Sequence, residues 1–173
     1  MIIQRDKDQL TNAIHLHTKA EIRLVRLVES RLYSRPRIES VPAEGLSVEI
    51  DFKPGAFSIE GASLTVDTDF TFALTQEGDR DHPAVRIDCR FEGLYHLIPD
   101  YSPTTEQIEA FRAANAVFNC WPFFREYVQN MTVRMGIPPP PIPFLRLAEK
   151  QGSEEPAKVP TVAVSKRRRK VWG

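Results

Sequence analysis

Cysteine is scarce: Cys89 and Cys120 are the only two in 173 residues. They lie far apart, show no metal-ligand spacing and sit among apolar residues. The sequence therefore predicts two buried, reduced thiols, and neither a disulfide framework nor a metal site. No apolar run approaches the ~18 residues of a membrane span. The opening segment Met1-Ile2-Ile3-Gln4-Arg5-Asp6-Lys7-Asp8 turns polar at once and lacks the apolar region of a secretory signal, so a cytoplasmic, non-inserting protein is expected. A glycine-rich phosphate loop is absent, and no Ser/His/Asp or Cys/His arrangement is suggested. His15 and His17 are two apart and do not share a helical face, while His82 and His96 are isolated. Nothing carries a reaction, so the expectation is a non-enzyme without cofactor or metal.

What is present is ordinary in bulk: 42% hydrophobic and 27% charged residues, a length suited to one domain. Such a domain buries roughly two thirds of its unfolded surface without a metal or disulfide. The formal net charge of zero hides an asymmetry. Lys166-Arg167-Arg168-Arg169-Lys170 holds 5 of the 23 Lys and Arg, leaving 18 against 23 Asp and Glu, a balance of −5. The body is mildly acidic and the tail basic. Five adjacent positive charges attract nucleic acid or an anionic surface, and only Trp172 accompanies them. These five residues are candidate nucleic-acid contacts, in an accessory protein acting through its tail, or else a solvated end.

Strand signals dominate the middle. Leu46, Val48, Ile50 and Phe52 alternate with Ser47, Glu49 and Asp51. Leu64, Val66, Phe70, Phe72 and Leu74 oppose Thr65, Asp67, Asp69 and Thr71. Val85, Ile87, Cys89, Phe91, Gly93 and Tyr95 oppose Arg86, Asp88, Arg90 and Glu92. Period-two alternation means one buried and one wet face, the mark of an antiparallel sheet. Turn residues stand between the runs at Pro54-Gly55, Glu60-Gly61 and Glu77-Gly78-Asp79, so the three read as a meander. In Ala20–Leu32 the phase slips from Ile22 and Leu24 to Val25 and Leu27. A helix fits; a strand with a bulge fits as well and is favoured, because the other strands need a partner.

The period then changes. Leu10 and Ile14 suggest a short N-terminal helix. Ser102 is a candidate cap, with Pro103 at the first helical position and Glu106 in the first turn. Ile108 and Phe111 share a face. Pro122 lacks an N–H, which predicts a break or kink near Asn119–Pro122. Phe124, Val128, Met131 and Met135 then form one stripe until Gly136. Ile137 to Leu145 carries the run Pro138–Pro141 and predicts an extended stretch anchored by Phe144-Leu145. From Ala148 on the chain is polar and reads as a flexible tail.

The order of these features resembles the SecB-like chaperone family, above all its solitary members associated with toxin–antitoxin systems. The matching segments are Phe91-Glu92-Gly93-Leu94-Tyr95, Pro103-Thr104-Thr105-Glu106, Trp121-Pro122-Phe123-Phe124-Arg125-Glu126-Tyr127-Val128, Arg134-Met135-Gly136 and Pro138 through Phe144. Ala20–Leu27 resembles the family's first strand. The likeness covers roughly residues 20 to 147. It implies an α+β fold: a four-stranded antiparallel sheet, meander-like, with C-terminal helices packed on one face. It divides the chain into an N-terminal polar, helical arm (1–19), a chaperone domain (20–147) and a tail (148–173). It implies an ATP-independent holdase that keeps polypeptides unfolded for export or protects an antitoxin, assembled as a homodimer or homotetramer. Its partners would be unfolded clients, an antitoxin or the export motor ATPase. Export-type members are strongly acidic where that motor docks, whereas here Arg86 and Arg90 stand beside Asp88 and Glu92.

A chaperone groove needs adaptable apolar area and no reacting centre. Ten phenylalanines on a small sheet with short helices exceed what one covered face can bury. The client-binding candidates are Phe70, Phe72, Phe91, Phe118, Trp121, Phe123, Phe124, Tyr127, Val128 and Met131. Pro122, Arg125 and Glu126 are candidates for orienting the helix. Any one aromatic fits a plain core role as well, and the sequence leaves that choice open.

Overall fold

The computed structural model describes residues 1–35, 46–76 and 82–150. Its centre is a four-stranded antiparallel sheet of β2 (Ala20–Ser34), β3 (Leu46–Glu60), β4 (Ser63–Gln76) and β5 (Val85–Leu97). The spatial order is β2-β5-β4-β3. The last three strands form the expected meander. The first returns to lie beside the last, which makes the whole a Greek-key arrangement. β2 is the bulged strand the phase slip implied, with register shifts between Ile22 and Leu24 and between Leu27 and Glu29.

β4 and β5 alternate buried and wetter residues along nearly their whole length. They are the two central strands, so their inner faces carry the core. The β3–β4 hairpin turns after Glu60, where Gly61 takes a φ of +59° that other residues rarely adopt. Pro54-Gly55 is not a turn. β3 runs through it with a register shift between Pro54 and Phe57. A proline without an N–H is tolerated in an edge strand at a bulge. The turn signal at Glu77-Gly78-Asp79 lies outside the described residues.

All helices lie on the inner face. α1 (Lys7–His17) is capped by Asp6, whose side chain accepts from the Gln9 N–H. The helix forms where Leu10 and Ile14 suggested, but Ile14 is exposed and Ala13 and Leu16 are buried instead. The reason is close packing on small residues: Ala13 meets Ala110 and Ala114. α2 (Thr105–Phe111) starts at Thr104 and not Ser102. Thr104 and Gln107 satisfy each other's backbone N–H groups in a capping box, which a serine two residues earlier cannot do. A π-helical turn, Arg112–Ala116, leads into α3 (Val117–Arg134).

Of the break or kink expected near Asn119–Pro122, the break does not occur: α3 runs on through Pro122. Pro122 and Phe118, four residues before it, both lie on the exposed side of the helix. The carbonyl that loses its partner therefore faces water, which lowers the cost of the missing bond. The irregularity sits upstream in the wide turn, where the Arg5 guanidinium donates to the Ala113 carbonyl at 2.7 Å.

Beyond α3 the proline run is extended, as expected, but its anchors are Ile142 and Leu145; Phe144 is 73% exposed. It leads into β6 (Arg146–Glu149), which pairs in parallel with β1 (Ile2–Arg5). The first 19 residues thus contribute Ile3 and Leu16 to the buried interior.

Gly93 is the tightest point of β5. A Cβ there would lie 2.8 Å from the Tyr95 ring, which is buried and receives a hydrogen bond from Asn119 Nδ2 at 3.2 Å. Gly93→Ala is expected to cost about 1–3 kcal/mol through overpacking, read as a lowered denaturant midpoint with an unchanged slope. A midpoint equal to that of the native chain would show that the ring yields freely.

Candidate functional site

The inner stripe of α3 presses onto the centre of the sheet. Phe124 stacks on Phe70 with ring centroids 4.6 Å apart and 13° between planes. Trp121 tilts against Phe124 at 5.4 Å and meets Phe52 of β3 edge-on at 6.3 Å. Phe91 meets Phe70 edge-on at 6.1 Å and Tyr127 at 6.3 Å. Of the sequence-selected residues, Phe70, Phe72, Phe91, Trp121, Phe124 and Val128 are all buried in this one cluster, with Tyr127 and Met131 partly buried against it. Phe118 and Phe123 remain outside it, 45% and 46% exposed. Five residues apart on a helix, they point from different flanks.

Two contacts tie this helix to its surroundings. The Trp121 indole N–H donates to the Pro143 carbonyl at 3.1 Å, which straps the proline run over the helix. The Tyr127 and Ser30 hydroxyls share a hydrogen bond of 2.5 Å, which ties the helix to β2. The three residues expected to orient the helix act separately. Pro122 faces water. Arg125 lies over the Phe144 ring, 4.6 Å from its centroid. Glu126 accepts from Asn130.

Sequence reasoning overlooked the edge of the sheet. Through the register, Ile22, Leu27 and Leu32 of β2 oppose Tyr95, Phe91 and Ile87 and so share the inner side. All three are exposed, because the helices cover the two central strands and not the β2 margin. The bulges scrambled the alternation that would have revealed them. β2 also exposes Leu24, Val28 and Tyr33, and the opposite edge strand β3 exposes Val48, Phe57 and Ile59. The outer face of the sheet is polar and ion-paired: Arg26–Glu92 at 2.7 Å, Arg86–Asp88 at 2.7 Å and Arg90–Asp69 at 2.8 Å.

Among the described residues no group of His, Cys, Asp and Glu is arranged to hold a metal, and no helix is long and apolar enough to cross a membrane. Burial pushes both the Cys89 and the Cys120 thiol up to about 12. The five basic residues Lys166–Lys170 lie outside the described residues.

With this geometry in view, no protein-family model matches the chain. Two curated proteins do. The SecB-like chaperone Rv1957 of Mycobacterium tuberculosis strain H37Rv is 28% identical over 152 residues, covering 78% of this chain and 82% of that protein. The SecB-like chaperone MT2006 of strain CDC 1551 matches to the same extent. Among solved structures, Rv1957 in complex with a peptide from the HigA1 antitoxin superposes with a TM-score of 0.67 at 24% identity, covering 80% of this chain and 99% of that chain. In sequence and in fold the chain is similar to these SecB-like chaperones. Its four-stranded antiparallel sheet with helices on one face is the fold of that structure, and the Trp121–Tyr127 segment on which the resemblance first rested lies across the centre of the SecB-like sheet.

Two consequences are measurable. Trp121→Ala removes a buried ring and the clamp on Pro143, and is expected to lower unfolding free energy by about 3–5 kcal/mol. A denaturation curve like that of the native chain would refute the central packing role. At pH 8 both thiols should be almost wholly protonated and react with a thiol reagent only on the timescale of unfolding. Rapid labelling of the folded chain would overturn their burial.

Proposed function

We propose that this SecB-like chain is an ATP-independent holdase that captures extended, non-native polypeptide along the margin between β2 and α3. The observation that carries this reading is the exposed apolar row Ile22, Leu27 and Leu32 on the inner side of an edge strand, flanked by exposed Phe123 and half-buried Tyr127. An unfolded segment can use such a margin in two ways. Its backbone can add to the free side of the strand, and its apolar side chains can settle between strand and helix. Neither contact requires a particular client sequence, because apolar burial is non-directional. The buried aromatics beneath hold the margin in shape, while Phe123, Tyr127 and Met131 of α3 contribute from its helix flank.

The edges also favour self-assembly, as a homodimer or homotetramer. Exposed Leu24, Val28 and Tyr33 on β2 supply apolar area for it. Buried reduced thiols suit the cytoplasm as the place of work. An antitoxin is the client class favoured here, since a SecB-like relative has been solved with an antitoxin peptide. Export with the motor ATPase is the less favoured role, because the outer face that would dock it mixes Arg86 and Arg90 with Asp88 and Glu92.

The decisive experiment mixes the chain with a denatured, aggregating protein and follows light scattering. Suppression at near-stoichiometric amounts is expected without nucleotide. The surface variants Leu27→Ser and Phe123→Ser should each weaken client affinity about tenfold, since burying one such side chain contributes roughly 1.5–3 kcal/mol, while circular dichroism stays unchanged. Undiminished scattering in the presence of the native chain would sink the holdase reading. Full activity in both variants would place the binding surface elsewhere.

A further inference from the structure

β3 lies at the end of the sheet, and among the described residues no strand pairs with its outer side. Its Phe57 and Ile59 oppose Val66 and Leu64, two buried residues of the inner face. They therefore share that face, yet they are 38% and 40% exposed. The Arg112 guanidinium lies over the Phe57 ring, 5.6 Å from its centroid, and covers the pair only in part. An edge strand with two large apolar side chains in water is a template for another strand. Phe57 and Ile59 stand two apart, the strand period, so one added strand meets both at once. On β2 the bulges put the exposed inner residues Ile22, Leu27 and Leu32 five apart, an odd spacing that a regular strand does not match.

The chain also holds the matching segment. Thr161-Val162-Ala163-Val164-Ser165 interrupts the polar tail. Val162 and Val164 stand two apart, the residues between and beside them are small or polar, and β-branched side chains favour extended backbone. Pro160 suits the first position of a strand. Lys166-Arg167-Arg168-Arg169-Lys170 ends the apolar run in charge, which keeps it from extending. We infer that residues 161–165 dock on residues 56–60 of their own chain as a fifth strand, with Val162 and Val164 seated on Phe57 and Ile59. The tail starts close by. The Lys150 N–H donates to the Arg5 carbonyl at 2.7 Å, the Arg5 guanidinium donates to the Ala113 carbonyl, and Arg112 beside it lies over Phe57. Two arginine side chains thus bridge Lys150 to the margin, whereas the 11 residues from Lys150 to Thr161 span up to about 40 Å. Such a tether holds the segment at an effective concentration on the order of millimolar, so a weak contact suffices. The added strand closes the β3 edge against other chains and leaves the β2–α3 margin as the open one. This inference stands independently of the holdase reading, and its test involves no client.

Photo-cross-linking and hydrogen exchange test it on the full chain. The photoreactive residue p-benzoylphenylalanine replaces Ser165, which leaves both valines in place, and the products are mapped by mass spectrometry in an equal mixture of isotopically heavy and light protein. Cross-links to residues 53–63 within one isotope class are expected. They should fall at least fivefold in Val162→Asp/Val164→Asp, a change confined to the tail that leaves the sheet and its helices untouched. They should survive 0.5 M salt, because apolar burial and not charge holds the segment. In the same double variant the backbone amides of residues 56–60 should exchange at least fivefold faster than in the native chain, while those of β4 and β5 keep their native rates. Cross-links elsewhere, cross-links lost in salt, or cross-links and exchange unchanged in the double variant overturn the inference. Heavy–light products overturn it too, since the strand would then belong to a second copy.

Discussion

The stack of Phe124 on Phe70 is the contact on which the rest of the structure depends. α3 must close the centre of the sheet, and these two rings, 4.6 Å apart, set where it sits. Trp121, Val128 and Val117 follow on the same stripe, and Phe91 and Phe52 complete the seat from the strands beside Phe70. α3 covers the middle of the sheet and α1 and α2 cover the end around Leu64, Val66 and Tyr95, so the helices close the two central strands and not the margins. Both edge strands are therefore left with apolar side chains in water: Ile22, Leu27 and Leu32 on one margin, Val48, Phe57 and Ile59 on the other. Thorough closure of the centre and exposure of the margins are one geometric fact, and the proposed client surface is its consequence.

Around this centre the chain is held by contacts between distant segments. β1 and β6 are four residues each, too short to hold as an isolated pair in water. They survive because Ile3 and Leu145 are buried under them and because the proline run before β6 is clamped by Trp121. Arg5 completes the arrangement by satisfying a carbonyl in the wide turn of the helix. The proline run contributes stiffness and no hydrogen-bond donors, which suits a strap that crosses a helix without pairing to it.

The two faces of the sheet divide the chemistry. The inner face and its margins are apolar and adaptable. The outer face is a lattice of ion pairs. Asp88 shows the balance: burial raises its carboxyl, but bonds from Arg86 and Thr71 more than offset this and hold it below its ordinary value.

Much of this was legible in the residues alone. The alternation in β4 and β5 named their inner and outer faces residue by residue, because a central strand with one dry side leaves no other choice. The stripe Phe124, Val128, Met131 was equally plain, while the phase slip of Ala20–Leu32 fitted a helix as well as the bulged strand that forms. The resemblance carried by Trp121–Tyr127 pointed to the right fold. Other features depended on neighbours that sequence does not display. Ile14 and Ala13 look alike in spacing, and only the close approach of α1 to α2 buried the alanine. Pro122 signalled a break, yet its place on the wet side of α3 let the helix continue. Pro54-Gly55 signalled a turn, yet an edge strand absorbed it. Trp121 and Phe123 are near neighbours in one motif; the residue sequence determined that both are apolar. Only the tertiary structure decided that the first is sealed against Pro143 while the second faces water beside β2, because exposure depends on how far one helix reaches across the sheet.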